Sequence, residues 1–112
     1  MRRISDMLKP VEEALLSVSG NVGHFYPVDG TKTHIVYGEE TEASEQPGDN
    51  RKLAQAVQGS IDLYAKPEDA GMADSIQEAL DRNGVSFSLN AVLPDDEQKS
   101  RFIHYEWLFE VT

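Results

Sequence analysis

The sequence predicts an α+β fold: a mainly antiparallel sheet of about four to five strands with two helices packed on one face. Three observations point there. The stretch Phe102 to Val111 alternates, with Ile103, Tyr105, Trp107, Phe109 and Val111 on one side and His104, Glu106 and Glu110 on the other. Leu108 is the exception, and the single Trp of the chain sits in the middle of the run. Period-two alternation of aromatic and β-branched residues marks a strand buried on one face. Val85 to Leu93 alternates in the same way. Two other segments carry apolar residues at helical spacing.

The first helix is expected over the opening residues, with Met7, Leu8, Val11, Leu15 and Val18 as its apolar stripe. Ser5 or Asp6 is suited to cap it. Pro10 requires either a bend or a helix that begins near Lys9, after a separate turn over Ile4 to Leu8. Gly20-Asn21 is the expected stop. Two short strands follow, His24-Phe25-Tyr26 and Thr33 to Tyr37, and the Asp29-Gly30 between them suggests a hairpin. Gly38 to Asn50 has no large apolar side chain and reads as a long acidic loop, centred on about residues 39 to 52. It holds Glu39, Glu40, Glu42, Glu45 and Asp49, with no basic residue until Arg51. Leu53, Val57, Ile61, Leu63 and Ala65 then share a strand face, with a bend or bulge expected near Gly59.

Lys66-Pro67 is expected to open the second helix, since Pro suits a first turn and Glu68 and Asp69 suit the positive end of the helix dipole. Met72, Ala73, Ile76, Ala79 and Leu80 form its buried stripe; Asp74, Gln77, Glu78 and Asp81 are placed in water. Asn83-Gly84 stops it. Pro94-Asp95-Asp96-Glu97 reads as a polar turn that joins the last two strands as a hairpin.

The chain has 112 residues, so one domain is expected. It has no cysteine, which excludes disulfides and thiolate metal sites. The two arginines after Met1 are not followed by an apolar run, so no secretory signal is expected, and no stretch has the length of a membrane-spanning helix. The formal net charge is −10, which argues against nucleic acid and anionic membranes as partners. It suits solubility, or an acidic surface facing a basic partner.

Catalytic signals are weak. No two of the three histidines, His24, His34 and His104, stand at the short helical spacing of a metal site. His104 and Glu106 share the polar face of the last strand, where an ordinary cross-strand pair accounts for them. A three-ligand metal site would need partners that the sequence does not display. Asp95-Asp96-Glu97 lacks the spacing of a calcium loop, and no serine lies beside a base. No catalytic, cofactor-binding or metal residue is assigned, and the protein is expected not to be an enzyme.

The order of these parts supports a resemblance. Ile4-Ser5-Asp6-Met7-Leu8-Lys9-Pro10 opens the chain, and Ile35-Val36-Tyr37-Gly38-Glu39 runs into a loop. Gly59-Ser60-Ile61-Asp62-Leu63-Tyr64-Ala65-Lys66 feeds an acidic helix, and Ile103-His104-Tyr105-Glu106-Trp107-Leu108-Phe109-Glu110 closes the chain. Nearly end to end, this resembles the small tail-completion and tail-terminator proteins of long-tailed bacteriophages and prophages, the head–tail joining or minor structural proteins. The resemblance implies a non-enzymatic virion subunit with no cofactor. It implies a homo-oligomeric ring, hexameric in such proteins, at the head-proximal end of the tail. That ring would contact the tail tube protein and the head connector protein, and the host cytoplasm would be its place of assembly. Contacts in such proteins lie on loops, which matches Glu39, Glu40, Glu42, Glu45, Asp49 and Arg51; His104 and Glu106 are further candidate assembly residues. The contrasting expectation, drawn from the charge alone, is a small acidic protein-binding module or inhibitor acting by charge mimicry.

Overall fold

A computed structural model describes residues 2–43, 55–95 and 101–112. Five strands form one sheet in the order β1-β2-β3-β5-β4. They are β1 (Val22–His24), β2 (His34–Ala43), β3 (Ala56–Ala65), β4 (Ser86–Asp95) and β5 (Phe102–Val111). Helices α1 (Ile4–Met7), α2 (Lys9–Val18) and α3 (Met72–Arg82) complete it. Every strand pairing is antiparallel except β1 with β2. The α+β class is therefore the observed one.

Pro10 decides the start. A proline lacks an N–H and is tolerated only in a first turn. The chain accordingly breaks at Leu8, and Pro10 falls in the opening turn of α2. Ser5 and Asp6 lie inside α1, with Arg3 at its cap position and no side-chain cap bond. The helix stop is also displaced: α2 ends at Val18 and Ser19 turns extended, so no left-handed residue is used at Gly20 or Asn21.

Asn21 instead holds the next connection. Its Nδ2 donates to the carbonyls of Asp29 and Thr33, each at 3.0 Å, and its Oδ1 accepts from the Asp29 N–H at 3.1 Å. Phe25 takes a left-handed φ of 68° and redirects the chain. The expected hairpin is therefore absent, and β1 runs parallel to β2 with Val22 opposite Ile35. So short a return between parallel strands is feasible because β1 has only three residues.

The expected loop from Gly38 is strand through Ala43. Glu39, Glu40 and Glu42 thus belong to β2, while Glu45, Asp49 and Arg51 lie outside the described residues, as does Leu53. The irregularity expected at Gly59 falls on the partner strand: Glu39 pairs with Gly59 and Thr41 with Gln58, leaving Glu40 as the extra residue. Gly59 itself is a close-approach position. A Cβ there would run into the Gly38 carbonyl oxygen and stand 2.7 Å from the Phe109 ring.

Pro67–Asp69 forms a short 3-10 turn, and α3 starts only at Met72. Gly84, at φ 70°, carries the chain out of α3 as expected. β4 and β5 pair antiparallel, but β4 does not alternate cleanly. Leu89 faces Trp107 and Ala91 faces Glu106, so Asn90 is a bulge and the facing of later residues is inverted. Pro94 and Asp95 extend β4, while residues 96–100 lie outside the described set.

The core lies between the helices and one face of the sheet. Met7, Val11, Leu15, Ile76 and Leu80 from the helices meet Ile35, Ile61, Leu63, Trp107 and Phe109 from the strands. Trp107 is fully buried. Its Nε1–H donates to Gln77 Oε1 of α3 at 3.0 Å, so Gln77 is half-buried at the edge of the core and not wholly in water. Among the described residues, no helix is long and apolar enough to cross a membrane.

Candidate functional site

Among the described residues, no helix packs on the other face of the sheet. His34 on β2, Asp62 and Tyr64 on β3, and Phe102, His104 and Glu106 on β5 share it. They meet because of register: Tyr64 lies opposite both His34 and His104, and Asp62 lies opposite Glu106. The His34 and Tyr64 rings stack at 4.9 Å, and Tyr64 and His104 at 4.3 Å with planes 11° apart. Phe102 meets His34 edge-on at 5.4 Å. This second aromatic cluster explains why Phe102 and His34 are buried on a face that carries no helix. His34 Nδ1–H donates to the Lys32 carbonyl at 2.7 Å, which leaves Nε2 as its other ring nitrogen.

Charge gathers beside the stack. His104 Nε2 and Asp62 Oδ1 are 2.7 Å apart, with side chains about a fifth exposed. Asn90, the bulge residue of β4, donates to Glu106 Oε1 at 2.6 Å. One ligand atom each of Asp62, His104 and Glu106 lies within 4.8 Å of the others. Burial pushes the Asp62 carboxyl above its ordinary value; His104 pulls it down, and Glu106 adds to the rise.

A second histidine–carboxylate pair occupies the β1–β2 corner on the helix side. His24 Nε2 and Glu39 Oε1 are 2.6 Å apart, and the His24 ring stacks on Phe25 and Tyr37. Burial raises the Glu39 carboxyl, but hydrogen bonds from His24 and from the backbone outweigh it and hold the group below its ordinary value. Burial and the neighbouring Glu12 carboxylate push the Tyr37 hydroxyl up to about 12. Among the described residues, no hydroxyl is hydrogen-bonded to a histidine, so neither pair has a nucleophile in place.

Of the residues singled out from the sequence, His104 and Glu106 lie on one face as their parity places them, His104 taking Asp62 as its close partner, and Glu39 joins His24 instead of standing in a loop. Glu40 is exposed at the β2 bulge. Asp62, Tyr64, His34 and Phe102 were not anticipated as site residues. The signal for them is their parity, since they fall on the polar side of their strands, but only the β2-β3-β5 register brings them together.

Exposed apolar side chains gather at two further places. Leu89, Val92 and Leu93 of β4 are about half exposed, Leu89 and Val92 on the helix side of the sheet and Leu93 on the other, and Leu108 of β5 is 42% exposed on that other side. Phe25, Tyr26 and Val28, in the connection that leaves the β1 edge, are exposed by 51%, 79% and 72%. These patches flank opposite ends of the strand order. The sequence matches no protein-family model and no curated protein.

Proposed function

We propose that this chain is a non-enzymatic structural subunit of a long-tailed phage or prophage virion. It acts as a tail terminator or tail-completion protein that forms a ring at the head-proximal end of the tail and joins it to the head connector. The observation that carries the reading is the pair of unlike apolar patches at the two ends of the sheet. β4 is a ten-residue strand at the end of the described strand order, with half-exposed Leu89, Val92 and Leu93. Long apolar edges invite pairing, and monomeric proteins blunt them with charge. The other patch, Phe25, Tyr26 and Val28, is different in shape and sequence. Two different surfaces at opposite ends suit a head-to-tail contact, which closes into a ring when the rotation allows. The resemblance in the order of helices and strands supports the same class of protein.

The test uses light scattering and negative-stain microscopy over a range of concentrations, alone and with the tail tube protein of the same genome. Free subunits are expected to be monomeric when dilute and to form rings when concentrated or when tube is present. Val92→Lys with Leu93→Lys, and separately Tyr26→Lys, should each stop ring formation while leaving circular dichroism unchanged. Mixing the two variants should give a capped dimer, because each retains one good patch. A tight symmetric dimer, or a monomer under every condition, overturns the reading.

A further inference from the structure

We infer that Asp62, His104 and Glu106 bind one divalent first-row transition-metal cation on the open face of the sheet. The inference stands apart from the assembly reading, because it needs no second subunit.

The donors are one imidazole nitrogen and two carboxylate oxygens, already within 4.8 Å of one another. Ligand bonds of about 2.1 Å place donors about 3.0–3.5 Å apart, so small side-chain rotations suffice. His104 Nε2 and Asp62 Oδ1, at 2.7 Å, need only part slightly to admit the ion between them. A mixed nitrogen and oxygen set suits zinc or manganese better than calcium, which takes oxygen donors alone. Three protein ligands leave positions for water or for a group from another chain.

Two features of the backbone argue that this is more than a surface pair. Asp62 and Glu106 are direct cross-strand partners. Like charges in that position are destabilising, and a bound cation would offset the repulsion. Among the described residues, no lysine or arginine is ion-paired with either. The donors are also held. Tyr64 stacks on the His104 ring, and Asn90 donates to Glu106 Oε1 at 2.6 Å. Supporting contacts of this kind orient metal ligands and tune affinity. Binding requires a neutral imidazole whose Nε2 lone pair faces the ion, with the ring proton on Nδ1. The ion then replaces the His104–Asp62 hydrogen bond. The whole chain, at −10, adds a favourable field for a cation.

The experiment is isothermal titration of the chelator-treated full chain with zinc chloride and with manganese chloride. Saturable binding of about one equivalent is expected for at least one of them, with a higher melting temperature in its presence. His104→Gln, Asp62→Asn and Glu106→Gln should each weaken binding by at least about tenfold. His24→Gln, in the other histidine–carboxylate pair, should leave it unchanged. Circular dichroism checks that each variant is folded, and any one folded variant is enough for the comparison. No saturable binding up to about millimolar cation overturns the inference. So does binding that survives in a folded variant of this set, or binding lost equally in His24→Gln, since exposed acidic groups would then account for it.

Discussion

Replacing Trp107 with Ala tests whether the middle of β5 is the main wall of the core. Trp107 has no exposed surface and stands between Ile61 on β3 and Leu89 on β4. Its ring lies 6.0 Å from that of Tyr105, and its Nε1–H donates to Gln77. Truncating a buried Trp to Ala costs about 3–5 kcal/mol, because transfer energy is lost and a cavity remains. The orphaned Gln77 side chain is only half-buried and gains water, so its loss adds no more than about 1 kcal/mol. Domains are stable by about 5–15 kcal/mol in total, so the variant should be near the limit of folding. The assay is urea unfolding followed by far-ultraviolet circular dichroism, because the substitution removes the only Trp fluorophore. Trp107→Phe separates the contributions: it retains an aromatic ring and loses the hydrogen bond, and it should cost about half as much or less. Leu108→Ala is the control, since Leu108 is 42% exposed on the opposite side of the strand. If Trp107→Ala loses no more stability than Leu108→Ala, the core does not rest on this side chain and the reasoning fails.

Two further outcomes complete the set. Gly59→Ala should destabilise by about 1–3 kcal/mol, read as a lower urea midpoint, because the added Cβ meets the Gly38 carbonyl and the Phe109 ring in the middle of the sheet; an unchanged midpoint would contradict that packing. Glu39 has a lowered carboxyl, so its contribution to stability is present above the ordinary carboxylate range and is lost as pH falls through its lowered folded value. Glu39→Gln should therefore flatten the acid limb of a melting-temperature profile relative to the parent, and an identical acid limb would show that the His24 pair does not couple to folding.

Much of the fold was legible because it depends on local periodicity. The alternation through Ile103, Tyr105, Trp107 and Phe109, the stripe of Val11 and Leu15, and the stop at Asn83-Gly84 each follow from neighbours in sequence. The failures share a cause. The parallel pairing of β1 depends on Asn21 reaching Asp29 and Thr33, and a side chain that staples a connection leaves no periodic signal. The extension of β2 through Glu39 to Ala43 was hidden because acidic residues are poor strand formers, yet β3 offers them a ladder. The bulge at Asn90 is a property of the β4–β5 pair and not of β4 alone.

The same division applies to the candidate site. The sequence alone determined that β5 has a polar face bearing His104 and Glu106, that the chain is strongly acidic, and that a buried Trp anchors the sheet. Tertiary structure decided that Asp62 stands opposite Glu106, that Tyr64 lies between His34 and His104, and that apolar patches flank both ends of the sheet. The physical reason is that side-chain parity is written along each strand, whereas register and strand order arise only when the whole sheet closes on its helices.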